Sequence, residues 1–446
     1  MGSATPIIDF VQNYIQSGTV RAHMPGHKGQ ARLGYEPMDI TEIGGADALY
    51  EAEGIIRESE QNASRHFGFG RTLYSAEGSS QCIRAMVYLA ALHAKARGRK
   101  PLIAAARNAH KTFLSAVALL DLEVLWLYPE QNDSYLTCRI SPEALEQFLR
   151  SAAEKPTAVY LTSPDYLGTL ADIAGLSAVC RRHGVLLLVD NAHGAYLRFL
   201  QPSLHPMDLG ADLCCDSAHK TLPVVTGGAY LHLSPQLQSE VGAQVKTGLE
   251  LFGSTSPSYL ILQSLDRANP YLEQYGQRLQ EFLPHVGALK AALAQNGYRL
   301  LSEEPLKITV SSKEYGYTGK ELADYLQQHR MVCEFADPDY LVLMVTPETG
   351  AEGLEQLKDV LLALPKKQPL PPCPLEFRPG EQVLSIRQAM LSPGVVLPVE
   401  QCEGRILASA SVGCPPAVPI LICGERINAH AIDCFRYYGI QSVTVL

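Results

Sequence analysis

Two short stretches hold residue types that do chemistry together. The first is Asp190-Asn-Ala-His-Gly194, a carboxylate and an imidazole at the end of the apolar run Val185-Leu-Leu-Leu-Val189. The second is Ser217-Ala-His-Lys220, which follows Leu213-Cys-Cys215 and precedes the turn-prone Pro223, Gly227 and Gly228. A lysine in a loop after a buried strand is placed to lose its proton and attack a carbonyl. Ser217 and His219 flank it with a hydroxyl and an imidazole, both able to hold a phosphate oxygen. These are the needs of a lysine that holds pyridoxal phosphate (PLP) as a Schiff base. The blander alternatives are a capped loop with an exposed Lys220, a helix-capping Asp190 and a core histidine at position 193.

The elements around these stretches are those of an α/β chain. Thr72–Ala76 reads as a strand and Ile83–His93 as a helix, joined by Glu77-Gly-Ser-Ser80. Gly78, Ser79 and Ser80 place N–H groups and hydroxyls around an anion, or else Ser79 or Ser80 simply caps the helix. Strands follow at Leu102–Ala106, Val124–Leu127, Ala158–Thr162, Val185–Asp190 and Gly228–Leu233. Between them lie helices over Lys111–Leu120, after Ser141-Pro142-Glu143, and over Ile173–His183. Asn108-Ala-His110 stands on the N-terminal side of the first of these. In open α/β sheets ligands sit at the carboxyl ends of strands, where Asp190 and His193 fall. Thr5-Pro6 opens a first helix that Gly18 stops, and another runs from about Glu53 to His66. A helix over Leu260–Ala268 precedes a long one, Tyr271–Gln295, interrupted at Pro284. Beyond Gly297 a smaller α/β unit has strands near Lys307–Val310, Val332–Phe335 and Leu341–Val345, with helices at Gly319–His329 and Gly353–Leu364. Pro365–Pro374 is a proline-rich connector, and Ser442–Leu446 a final strand. The expected division is an N-terminal helix and loop segment over 1–50, a large domain over 51–270, and a linking helix with a small C-terminal domain over 271–446.

The totals exclude several classes. A chain of 446 residues exceeds one compact core. Hydrophobic residues at 46% and charged residues at 19% fit an ordered protein. A net charge of -9 argues against a nucleic-acid surface. The eleven cysteines form no C-x-x-C pair, so neither a metal site nor a disulfide framework is signalled and a reducing cytoplasm is expected. No signal peptide or membrane-spanning run is expected either.

Taken in order, these motifs resemble the Orn/Lys/Arg decarboxylase family, PLP enzymes of the aspartate-aminotransferase fold (fold type I). The landmarks are His23-Met-Pro-Gly-His-Lys-Gly29, Asp39-Ile-Thr-Glu42, Glu77-Gly-Ser-Ser80, Asn108-Ala-His-Lys111, Thr162-Ser-Pro164, Asp190-Asn-Ala-His-Gly194, Ser217-Ala-His-Lys220, Ser254-Thr-Ser-Pro257 and the segment from Pro415-Pro416 to Gly424-Glu425. The chain resembles the short form that lacks an N-terminal wing domain. The resemblance implies a large, mostly parallel sheet with a smaller C-terminal α/β domain. It also implies that Lys220 carries the Schiff base, Asp190 pairs with the pyridine nitrogen, and His110 stacks on the ring. His193 would lie against the opposite side or near the phenolic oxygen. Gly78, Ser79, Ser80, Ser217 and His219 would hold the phosphate. Thr255, from a partner subunit, would complete that site, so a homodimer with shared active sites, or a higher oligomer, is expected. The implied reaction is decarboxylation of arginine, lysine or ornithine to an amine, through a carbanion at Cα. Asp47 and Glu425 are the candidates for holding the substrate's distal cation, with a structural turn residue as the other reading of Glu425. The departure of Asp47-Ala-Leu-Tyr50 from the family's Asp-Asp-Leu-His touches substrate selection. The rivals are another PLP reaction, such as transamination or elimination, and a silent decarboxylase-like regulatory protein.

Overall fold

The computed structural model describes residues 3–129, 135, 137–373, 375–409, 412–414 and 418–446. Expectations that fall on positions 1, 2, 374, 410, 411 and 415–417, the Pro415-Pro-Ala417 motif among them, lie outside the described residues. The chain divides into two compact units, each built from separated segments. The first takes Met1–Pro101, Thr157–Val159 and Ile173–Gln277; the second takes Leu102–Pro156, Tyr160–Asp172 and Arg278–Leu446.

The elements run α1 (Pro6–Gln16), α2 (Ile55–Phe67), β1 (Arg71–Ser75), α3 (Gly78–Ala96), β2 (Leu102–Ala106), α4 (Lys111–Leu120), β3 (Glu123–Leu127), α5 (Pro142–Ser151), β4 (Ala158–Thr162), α6 (Ile173–His183), β5 (Leu186–Asp190), β6 (Leu213–Asp216), α7 (Ala218–Thr221), β7 (Ala229–Leu233), α8 (Pro235–Val241), α9 (Val245–Glu250) and α10 (Tyr259–Gln295). A seven-stranded sheet has the order β1-β7-β6-β5-β4-β2-β3. Within the first unit β5 and β6 are parallel, while β7 runs antiparallel to both β6 and β1. Every residue of β5, β6 and β7 is buried, which is why these segments read as unbroken apolar runs rather than alternating ones.

In the second unit β2 and β3 pair in parallel. A four-stranded antiparallel sheet follows, from β8 (Arg299–Leu300), β9 (Lys307–Ser311), β10 (Phe335–Ala336) and β11 (Tyr340–Met344). Helices α11 (Gly319–Gln328) and α12 (Gly350–Ala363) accompany it, and Val395–Pro398 pairs with Ser442–Val445 near the C-terminus. The strand expected at Val332–Phe335 is reduced to the two residues of β10, with Val332 89% exposed.

Two expectations about helices change. Ala218–Thr221 is a helical turn, so Lys220 sits on α7 and not in a loop. The long helix is neither preceded by a break nor interrupted at Pro284: α10 runs 37 residues through Pro270 and Pro284. An interior proline removes one backbone hydrogen bond. Here Leu262, Leu265, Ala268, Leu272, Tyr275, Leu279, Phe282, Val286, Leu289 and Leu293 keep a buried stripe at helical spacing across both prolines, and that burial outweighs the lost bonds.

Helix α10 also anchors helix α1. Pro6 opens α1 as expected, but the Thr5 side chain makes no cap. The N–H groups of Ile7 and Ile8 donate instead to Asp266 Oδ2, each at 3.0 Å, and the Ser59 hydroxyl donates to its other oxygen. Burial pushes the Asp266 carboxyl from the ordinary 3.8 up to about 6, against these hydrogen bonds. The folded protein therefore holds this proton more tightly than the unfolded chain, and the group's contribution to stability declines as pH rises from 3.8 to about 6. Over that window wild type is expected to lose up to roughly 3 kcal/mol relative to Asp266→Asn. Urea unfolding of the two proteins at pH 4 and pH 7 checks it; parallel pH dependences would refute it.

Candidate active site

The parallel strands β5 and β6 end side by side, with Asp190 opposite Cys215, and deliver their following turns to the same edge of the sheet. Asp190 is 3% exposed. Its Oδ1 accepts the Ala192 N–H at 3.1 Å and the Cys215 thiol at 3.6 Å. From the next turn His193, also buried, brings its Nε2 within 2.9 Å of Lys220 Nζ. A nucleophilic amine and a proton-carrying ring therefore touch at the carboxyl ends of two buried strands.

The Glu77–Ser80 segment meets the same region from β1. Helix α3 begins at Gly78, not near Ile83, and its N-cap residue is Glu77, whose side chain makes no cap bond. Ser79 and Ser80 are thus first-turn residues and not caps. The Ser217 hydroxyl donates to Ser79 Oγ at 2.8 Å, which sets two hydroxyls beside the start of a 19-residue helix, where N–H groups favour an anion. Gly78 has φ +72, and nothing lies within 4 Å of where its Cβ would be, so the cradle stays open. Nδ1 of His219 donates to the Gly228 carbonyl at 3.0 Å. In the neutral ring Nε2 then carries no proton, so His219 holds an anion through Nε2 only as the imidazolium.

One cluster escaped the sequence reading. Asp216, immediately before Ser217 and fully buried, faces two fully buried histidines. His205 Nε2 lies 3.1 Å and His232 Nε2 3.0 Å from Asp216 Oδ2, and the Asn191 amide donates to Oδ1 at 2.7 Å. Burial alone would raise this carboxyl; the two histidines outweigh it and hold the group below the usual carboxylate range. Burial lowers His232. His205 Nδ1 accepts the Met207 N–H at 3.2 Å, which puts the ring proton on Nε2, pointing at Asp216. The set is therefore a hydrogen-bonded one, with no lone pair on His205 Nε2 for a metal. Its signal in the sequence was a carboxylate closing the buried run Leu213-Cys-Cys-Asp216, since a buried charge demands partners.

The other predicted residues have these surroundings. His110, in the second unit, caps α4, its Nδ1 accepting the Thr112 N–H at 3.2 Å. Thr255 is exposed in the loop between α9 and α10, next to Ser254, whose N–H donates to Glu77. Asp47 has φ +78, and its carboxylate accepts the N–H groups of Ala48, Glu53, Gly54 and Ile56, at 2.9 to 3.1 Å; it serves as the cap of α2. Glu425, in the second unit, is 1% exposed. Its Oε2 accepts the Ile422 N–H at 2.7 Å and Arg107 Nη2 at 2.9 Å. Arg107 lies between the Trp126 and Phe377 rings, 5.6 Å from each centroid. Both carboxylates considered for the substrate thus have structural partners, and for Glu425 the turn reading describes its bonds.

Residues 5–298 match the family model described as Orn/Lys/Arg decarboxylase, major domain. The chain belongs to the Orn/Lys/Arg decarboxylase family. It is 27% identical to the uncharacterized protein YaaO of Bacillus subtilis, over 96% of this chain and 93% of that protein. It is also 27% identical to an arginine decarboxylase of Bacillus subtilis, over 96% of this chain and 92% of that one. Among solved structures, the lysine decarboxylase LdcF of Francisella novicida superposes with a TM-score of 0.80 at 17% identity, covering 99% of this chain and 81% of that one. The fold is the α/β fold of PLP-dependent transferases, fold type I, and the protein is a decarboxylase. No helix among the described residues is long and apolar enough to cross a membrane.

The Arg107–Glu425 pair has a direct consequence. Glu425→Ala leaves a guanidinium buried without its counter-ion, at an expected cost of about 3–5 kcal/mol. Urea unfolding checks this. A variant as stable as wild type, with only the KM for substrate raised, would return Glu425 to the substrate site.

Proposed function

We propose that the protein is a PLP-dependent decarboxylase of a basic amino acid, with arginine and lysine as leading substrates and ornithine third. The observation that carries this is the contact of Lys220 Nζ with His193 Nε2, 2.9 Å apart beside the buried Asp190, in a chain of this family. Relatives named arginine decarboxylase, aligned over almost their whole length, support arginine first.

The residues present fit the cofactor. Lys220 would hold its aldehyde carbon, and Asp190 would keep a proton on its ring nitrogen. The Ser79–Ser217 hydroxyl pair at the head of α3 would take its phosphate, with His219 joining as the imidazolium. Bound PLP supplies an electron sink for the pair left at Cα when carbon dioxide departs. The protein's own share is to orient and to move protons. Asp190, almost without exposure, stands in a poorly solvated place where a charge acts strongly. Lys220 and His193, in mutual contact, would each be able to return a proton to Cα. Thr255 of a second copy completing the phosphate site, a homodimer, a cytoplasmic location and a place in polyamine synthesis belong to the same reading.

Purified protein supplied with PLP is expected to release carbon dioxide from one of arginine, lysine and ornithine, offered separately, with the matching amine as product. Release from none, by a protein whose yellow colour borohydride bleaches, would overturn the substrate class and keep the lysine. Lys220→Ala is expected to abolish the cofactor–lysine absorbance; its persistence would exclude Lys220. Ser217→Ala is expected to weaken retention of PLP about tenfold while leaving pyridoxal, which lacks the phosphate, unaffected. Equal losses for both would remove Ser217 from the phosphate.

A further inference from the structure

The His193 turn and the Lys220 turn are separate pieces of chain, and neither is rigid alone. Helix α7 has four residues, far too few to hold its own shape in water. Three hydrogen bonds cross between the turns or brace them. The Asn191 N–H donates to the Cys215 carbonyl at 3.0 Å, the Asn191 amide donates to Asp216 Oδ1 at 2.7 Å, and the Gly194 N–H returns to the Asn191 carbonyl at 2.7 Å. Asn191 directly follows Asp190, and Asp216 directly precedes Ser217-Ala-His-Lys220.

From this we infer that Asn191 and Asp216 form a clasp, two positioning residues that hold Asp190 and His193 in register with Lys220. The inference rests on the site assigned under the proposed function. Asp216 is suited to the task because it cannot turn away. Its second oxygen is fixed by His205 and His232, and those rings are themselves fixed: His205 by the Met207 N–H, and His232 by Thr72 Oγ1, 3.0 Å from its Nδ1. Register places Thr72 opposite His232 on β1 and β7, and His232 opposite Cys214 on β6. The anchor therefore reaches across three adjacent strands. Asn191 is equally confined. A Cβ on Gly194 would stand 2.0 Å from Asn191 Oδ1, so only glycine there admits the amide in this orientation. Among the described residues Asn191 Oδ1 has no hydrogen-bond partner, so the donated bond to Asp216 is what its amide contributes.

The test is Asn191→Ala, which deletes that bond and little else. As holoenzyme it is expected to keep its fold and to lose about tenfold or more in kcat, with KM within about twofold. As apoprotein it is expected to capture PLP on Lys220 more slowly, read by absorbance and by borohydride trapping; a purely structural role would lower the melting temperature and leave the capture rate of folded protein unchanged. A folded Asn191→Ala with kcat and capture rate both within about twofold of wild type would overturn the clasp. If this variant does not fold, the wild-type protein decides by 15N NMR of its histidine and asparagine side chains. The clasp requires a proton on Nε2 of both His205 and His232, and a slowly exchanging Asn191 amide. An Nε2 without a proton at either position, or an Asn191 amide exchanging at the rate of an exposed one, would overturn it. Lys220→Ala in parallel separates the failures: retained cofactor–lysine absorbance sinks the site, whereas a colourless Lys220→Ala beside an unaffected Asn191→Ala sinks only the clasp.

Discussion

A carboxylate with no access to water must be solvated by the protein, and Asp216 is solvated by three N–H donors at once. That requirement organises the first unit around the end of β6. It fixes which faces β7 and β1 present, because His232 and Thr72 must stand in line behind it. It fixes the turn after β5, because Asn191 must reach it. Replacing water by preoriented donors is expensive to assemble and stiff once assembled, and stiffness is what a lysine on a four-residue helix lacks. The chemistry-bearing side chains, Asp190, His193 and Lys220, are each within four residues of a member of this network.

Much of this was legible in the chain itself. The bounds of β2, α4, β4 and α6 follow from apolar runs and their flanking punctuation, because buried parallel strands and one-faced helices impose those patterns directly. The motifs around Asp190 and Lys220 were legible as pairs of unlike residues at strand ends, and the family model agrees with the resemblance that their order suggested. Local signals also placed Ser141 and Pro142 at the head of α5, where the Ser141 hydroxyl accepts the Ala144 N–H.

What stayed hidden depends on distant partners. Nothing near Asp216 in the chain announces His205 or His232, since one lies in a loop and the other on a strand that turns back antiparallel. Asp47 and Glu425 looked like available charges because their partners, a run of N–H groups and Arg107, are set by the fold and not by spacing. Pro284 looked like a break because local propensity counts one lost hydrogen bond and cannot see ten buried side chains. For Glu425 and Pro284 a local rule was overruled by burial, and for Asp47 by the N–H groups gathered around its carboxylate.

The tie between α1 and Asp266 has a consequence for synthesis. Helix α1 is synthesised well before α10: the carboxylate that receives its N-terminal N–H groups arrives some 258 residues later. At ordinary rates of elongation that is an interval of roughly 13–50 s. Throughout it Ile7 and Val11, wholly covered in the finished protein, have no completed docking surface. The nascent chain thus carries an adhesive helix, and the last turns of the first unit to be translated are the ones that retire it.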